Sequence, residues 1–127
     1  MLQKTLGIES IRLGTVALFR ELQSQGHTIY IYTTSFRSRA KIKLMFLSYK
    51  LYVGKIINQK LHDEVLREQR NRTSKYPPAF CIDIHIDDSL GVKIEGNKYN
   101  FATIIIEEND VDWIETVLEG IKSLSKQ

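Results

Sequence analysis

Apolar positions along this chain follow two rhythms. Residues 28–32 read TIYIY and residues 101–106 read FATIII, β-branched and aromatic runs of strand length. Residues 80–86 read FCIDIHI, where Ile82, Ile84 and Ile86 alternate with Asp83 and His85, and Asp87 continues the polar stripe. A period of two predicts a strand with one oily and one polar face. KIIN at 55–58 predicts a further short strand. Helical spacing covers much of the rest. Val16, Leu18, Phe19 and Leu22 predict a helix over 9–25, with Gly26 where it would stop. Ile42, Met45, Phe46 and Tyr49 mark the core face of a second helix, which Ser35 can cap. A third helix covers about 60–70. Val111, Ile114, Val117, Leu118 and Ile121 mark a last one, with Asp110 as its cap.

Between these elements, NRTSKYPP predicts a loop, since Pro77 and Pro78 oppose regular structure. SLGVKIEGNKYN, with Gly91, Gly96 and Asn97, reads as turns. Strands alternating with helices predict an α/β fold, a Rossmann-like three-layer α/β/α sandwich around a mainly parallel sheet. Residues 1–127 form a single domain in this reading. The sequence contains no internal repeat, low-complexity tract or linker.

Composition narrows the class. A chain of 127 residues, 43% hydrophobic, can bury a real core. One cysteine, Cys81, excludes an internal disulfide and suits a reducing compartment; it reads as a small core residue. No apolar run approaches the roughly 20 residues that span a membrane, and the first ten residues lack a signal-peptide core. The expectation is a soluble cytoplasmic protein without a membrane partner. The net charge of +3 is unevenly spread. From Arg37 to Lys75, 11 Lys/Arg face three acids for a net +8; the remainder, 7 basic against 12 acidic, carries −5. A basic middle can attract phosphates or nucleic acid, and a solvated helix face competes with that reading. Aromatic platforms for single-strand stacking do not interleave with these cations.

Asp87 and Asp88 leave a predicted strand together. Two adjacent carboxylates suit a hard cation such as Mg²⁺, which takes oxygen ligands, water and phosphate; turn chemistry before Ser-Leu-Gly explains them equally well. Thr33 and Thr34 end one strand and precede a helix, where hydroxyls and unused N–H groups can hold a phosphoryl group or simply cap. Lys75, before two prolines, can reach a phosphate as a point charge. Asp83, His85 and Asp87 are spaced about 7 Å apart along a strand, wide for one metal, so Asp83 and His85 are expected to pair with neighbouring polar groups. His27 and His62 stand isolated.

In order, IYIYTTS, SKYPP and IDIHIDDS resemble the second, third and fourth motifs of the haloacid dehalogenase superfamily, mostly Mg²⁺-dependent phosphatases. RLGTVALFRELQSQGHTIYIYTTS looks like that family's helix leading into its second motif, and IIIEENDVDWIETVLEGI like its last strand and helix. The match runs from about residue 9 to residue 121. The resemblance implies that Thr33, with Thr34 beside it, binds a phosphoryl group, that Lys75 offsets charge, and that Asp88, with Asp87 competing, holds Mg²⁺. Phosphoryl transfer requires this division of labour.

The family's first motif, D-x-D on a central strand, has no counterpart. No aspartate precedes Asp63; Glu9 and Glu21 are the only acids before Thr33, and neither follows a recognisable strand. Three expectations follow. The sheet lacks its usual first strand, so that either another segment fills the gap or the neighbouring strands close up and pair directly. The chain begins at an internal position of a longer protein. Phosphatase activity is absent or very weak, because a covalent step has no attacking group. The stretch from Ser35 to Lys75 is too short for a large cap. The partner would be a phosphorylated substrate or ligand, and an exposed gap in the sheet would favour a homo-oligomer. The alternatives are a non-catalytic phosphate- or nucleotide-binding or protein-interaction module, and a nucleic-acid-binding module using the basic segment.

Overall fold

The computed structural model describes residues 5–8, 14–68, 73–107 and 109–125. Among the described residues five strands build one parallel sheet: β1 (Thr5–Ile8), β2 (Thr28–Tyr32), β3 (Lys55–Ile57), β4 (Ile84–Asp87) and β5 (Ala102–Ile105), in the order β3-β2-β1-β4-β5. The helices are α1 (Thr15–Ser24), α2 (Arg39–Ser48), α3 (Gln59–Glu68), α4 (Leu90–Tyr99) and α5 (Trp113–Leu124), with a short 3₁₀ helix at Pro77–Phe80.

The centre of the sheet is not empty, which corrects the expectation of a missing first strand. Residues TLGI pair on both sides, Thr5 with Thr28 and Ile8 with Ile31 on one, Leu6 with Ile84 and Ile8 with Ile86 on the other. Leu6 and Ile8 alternate with Thr5 and Gly7, but four residues with a glycine among them are too short a run to announce a strand. Ladders on both sides satisfy their backbone groups, so tertiary pairing makes a strand where propensity is silent. The gap that would have favoured pairing with another chain is therefore filled.

Both faces of the sheet are covered. Ile29, Ile31, Ile56, Ile84, Ile86 and Ile104 pack with Leu18, Phe19 and Leu22 of α1, Ile42 and Phe46 of α2, and Val117 and Ile121 of α5. The opposite face is smaller: Tyr32, Ile57, Phe80 and Ile82, with Leu61 and Val65 of α3 against them. The alternation in TIYIY thus sends isoleucines to one side and tyrosines to the other. All four β4 residues are buried, as a central parallel strand demands. The polar stripe of IDIHID is therefore a second buried face, and only Asp83, before the strand begins, is exposed.

Several boundaries differ from the sequence reading. Ser38, not Ser35, caps α2, its hydroxyl accepting the Lys41 N–H at 3.2 Å. Ile42 and Phe46 of the α2 stripe are buried, while Met45 and Tyr49 are exposed. Residues 80–83 are not strand. The N–H groups of Cys81 and Ile82 bond back to the Pro78 and Pro77 carbonyls, and the prolines open a 3₁₀ helix instead of excluding one. Cys81 adopts a φ of 59° and is exposed, not a core residue. Residues 90–99 form α4 rather than turns. Gly96 has a packing role there: a Cβ would sit 2.8 Å from the Phe101 carbonyl oxygen, so the glycine lets α4 close against the start of β5. Asp110 does not cap α5 directly; it accepts the Asp112 N–H and the Thr116 hydroxyl at the helix entry. The first-helix expectation over 9–13 lies outside the described residues, as does the part of the third helix beyond residue 68. Among the described residues no helix is long and apolar enough to cross a membrane.

Candidate functional site

β2 and β4 flank β1, and their carboxyl ends open toward the same rim of the sheet, the usual ligand side of a parallel sheet. Asp87 is the last residue of β4 and is 3% exposed. One carboxylate oxygen, Oδ1, accepts the N–H groups of Asp88 and Ser89 at 2.8 and 3.0 Å. It thereby anchors the turn into α4 and places negative charge at that helix's N-terminus. The other oxygen, Oδ2, accepts Lys75 Nζ at 3.0 Å and His85 Nε2 at 2.9 Å. A carboxylate offers about four lone-pair positions, so these four donors occupy them.

Lys75 is 2% exposed. Its ammonium pairs with Asp87 and lies 5.3 Å from the centroid of the Tyr32 ring, within cation–π range. Its loop is held by other elements on both sides. Ser74 donates its N–H, and its hydroxyl, to the Glu95 carboxylate of α4. The Tyr76 N–H donates to the Tyr32 hydroxyl at 2.9 Å. That hydroxyl faces His62 Nδ1 at 2.5 Å, and His62 Nε2 meets the Thr73 carbonyl at 3.0 Å. The carbonyl can only accept, so Nε2 carries the proton and Nδ1 receives the tyrosine's. Burial raises the Tyr32 hydroxyl far above its ordinary value, keeping it a donor, and burial lowers the His62 imidazole, keeping it neutral. Thr73 and Tyr76, either side of Lys75, are thus tied to α3 and β2 through one polar chain.

His85 is fully buried, and its ring meets Tyr32 edge-on at 5.5 Å. Burial lowers its pKa, against the opposing hydrogen bond to Asp87. A neutral imidazole must donate through Nε2 to the carboxylate, which leaves Nδ1 as an acceptor with no hydrogen-bond partner among the described residues.

A pocket of about 130 Å³ opens over this cluster, lined by Thr34, Ser74, Lys75, Asp87, Ser89 and Val92. It falls below the roughly 300–1,000 Å³ of drug-sized ligand sites, so it has room for a small anionic group rather than a whole cofactor. Of the residues singled out in the sequence, Thr34, Lys75 and Asp87 meet here. Thr33 does not line the pocket; its hydroxyl accepts the Ser35 N–H at 3.2 Å and shapes the turn. Asp88 is exposed beside Asp87. His85 pairs with a neighbouring polar group, Asp87, as expected, and Asp83 is exposed just before the strand. Tyr32, Ser74 and Glu95 were not singled out, and His62, read as isolated, bonds Tyr32 and Thr73. His62 carried one signal: with Leu61, Val65 and Leu66 it sits on the apolar stripe of α3, where a histidine needs buried partners.

Mg²⁺ fits only part of this set. With four donors on Asp87, one an ammonium, a cation has no place on that carboxylate. Asp88 is the carboxylate that suits it, since Mg²⁺ commonly takes one carboxylate plus waters and phosphate oxygens. Among the described residues no group of three or more His, Cys, Asp or Glu is arranged to hold a metal. β1 ends at Ile8 between β2 and β4, and Glu9 follows it in sequence, outside the described residues. No family model, no curated protein and no solved structure matches the chain.

Proposed function

We propose that this chain is a haloacid dehalogenase-like domain of Rossmann-like architecture, related to Mg²⁺-dependent phosphatases, that holds a phosphate group at the rim of its sheet and hydrolyses phosphate esters weakly or not at all. The observation that carries the reading is the burial of Lys75 at the carboxyl ends of β2 and β4, where it lines a small pocket with hydroxyl-bearing Thr34, Ser74 and Ser89. The strand order, with the strands before Thr33 and Asp87 flanking a central one, agrees with the motif order in the sequence. Lys75 offers the bound phosphate a positive charge. The three hydroxyls and the first N–H groups of α4 give further donors. Asp87 does not touch the ligand in this scheme; it orients Lys75 and the turn. Bound Mg²⁺ would neutralise phosphate charge, with Asp88 as its protein ligand. The central strand TLGI ends without an aspartate, and no aspartate precedes Asp63, so the covalent route of the family lacks its nucleophile.

The test is calorimetric titration with inorganic phosphate, with and without Mg²⁺, alongside an assay with a generic aryl phosphate. Binding that Lys75→Met abolishes, with turnover near background, is the expected result. Robust Mg²⁺-dependent turnover would overturn the assignment of weak chemistry. Phosphate binding unaffected by Lys75→Met would overturn the site.

A further inference from the structure

A second, larger concavity lies at the edge of the sheet, between α2 and β3. It measures about 460 Å³ and is lined by Arg39, Ala40, Lys43, Val53, Gly54, Lys55 and Ile56. Three of these side chains are cationic, none is acidic, and all three cations are exposed. Among the described residues none of the three forms an ion pair.

These charges stand where an isolated chain gains little from them. Arg39 opens α2, whose first turn holds no acidic residue. A cation there opposes the positive end of the helix dipole, which favours anions. Arg39 and Lys43 are four residues apart on one helix face, a spacing at which like charges repel by a few tenths of a kcal/mol. Lys55 brings a third positive charge from the edge strand. Its ammonium rests 5.9 Å from the Phe80 ring centroid, at the far limit of cation–π range and on a flexible stem. An anionic occupant would relieve each of these oppositions at once.

From this we infer that the α2–β3 cleft binds a small molecule bearing two or more phosphate groups, with an uncharged portion lying on Val53 and Ile56. The volume lies in the range of small-ligand pockets, roughly 300–1,000 Å³, and exceeds what one phosphate needs. Arg39 presents a planar fork that phosphate oxygens can take in pairs, while Lys43 and Lys55 act as point charges. The side chains differ from those of the Lys75 pocket, so the inference stands apart from the function proposed above.

Pyrophosphate, adenosine diphosphate and inorganic phosphate serve as probes, titrated calorimetrically at about 50 mM salt, where screening is weaker than at physiological strength. Adenosine diphosphate is expected to bind the wild-type chain, and affinity is expected to fall roughly tenfold or more in Arg39→Glu/Lys43→Glu, consistent with loss of charged hydrogen bonds. That double variant is expected to keep its inorganic phosphate binding, and Lys75→Met to keep its adenosine diphosphate binding. Loss of adenosine diphosphate binding in Lys75→Met alone would place the ligand in the other pocket and overturn the inference. So would the absence of diphosphate binding to the wild type, or a single-stranded oligonucleotide binding where the small diphosphates do not. Both substituted cleft side chains are exposed, so circular dichroism is expected to show an unchanged fold.

Discussion

Replacing Asp87 by asparagine keeps the side chain's shape and removes its charge. The amide oxygen can still accept the Asp88 and Ser89 N–H groups, but the amide NH₂ then points at Lys75 Nζ and His85 Nε2, two donors that the carboxylate oxygen took at 3.0 and 2.9 Å. Both side chains of the ion pair are essentially excluded from water, 2% and 0% exposed, so solvent does not screen the loss. Removing one partner of a buried ion pair costs about 3–5 kcal/mol. A chain of 127 residues holds about 6–19 kcal/mol in all, at roughly 0.05–0.15 kcal/mol per residue. The substitution thus removes a large share of stability and shifts the urea midpoint by about 2 M at a typical slope. The assay is equilibrium urea unfolding followed by circular dichroism, with Lys75→Met and the double variant completing a cycle. Lys75→Met with Asp87→Asn removes both charges and is expected to cost less than Asp87→Asn alone, with a coupling of about 2 kcal/mol or more. An Asp87→Asn cost under about 1 kcal/mol, or additivity within about 0.5 kcal/mol, would refute the claim that this pair anchors the site.

Other outcomes are expected from the same network. Burial lowers the pKa of His85 and of His62 in the folded chain, so below about 6.5, the ordinary histidine value, the unfolded state takes up protons first. Stability therefore falls as pH drops below that value, with His85 alone contributing a slope of up to about 1.4 kcal/mol per pH unit; urea titrations between pH 7.5 and 5 with flat stability would contradict this. Tyr32→Phe strands His62 Nδ1 and the Tyr76 N–H and is expected to cost about 1–3 kcal/mol. Hydrogen exchange should locate the loosening at residues 73–76, and protection unchanged there would remove the role given to the tyrosine. His62→Asn, which can still accept from Tyr32, should leave that protection nearer to wild type than His62→Ala does. Gly96→Val is expected to destabilise strongly because its Cβ meets the Phe101 carbonyl oxygen at 2.8 Å, and thermal unfolding reads the effect directly.

The parts of the fold legible in the sequence are those with uninterrupted rhythm. TIYIY, KII, most of α1 and the α5 stripe from Ile114 to Ile121 stand where their periodicities put them, because each buries the face its pattern defines, whereas Val111 lies before α5 and is exposed. The pattern failed where tertiary contacts overrule local preference. TLGI becomes a strand only through two neighbours, and the glycines of residues 90–99 sit in a helix because one of them is needed for close packing. IDIHID misled in another way: its polar residues face inward, since Lys75 arrives from twelve residues earlier to neutralise Asp87. Lys75 and the aspartate doublet were visible as separate residues. The clamp formed by Tyr32, His62, Ser74 and Glu95 was not, because hydrogen bonds across three elements leave no spacing in one dimension.

The position of β1 has a consequence for how the chain acquires its structure. The first strand in sequence is the middle strand of the sheet, and Leu6 must find Ile84 across most of the chain. Pairing with β2 is close to local; pairing with β4 is not. Long-range parallel pairing is slow because loop-closure entropy is lost before the contact rewards it. During synthesis, the β1–α1–β2 unit can exist with the far edge of β1 exposed until the segment through Asp87 has emerged. That open edge is the stage at which the nascent chain is most prone to join another, and the arrival of β4 closes the edge and brings the aspartate that Lys75 pairs with.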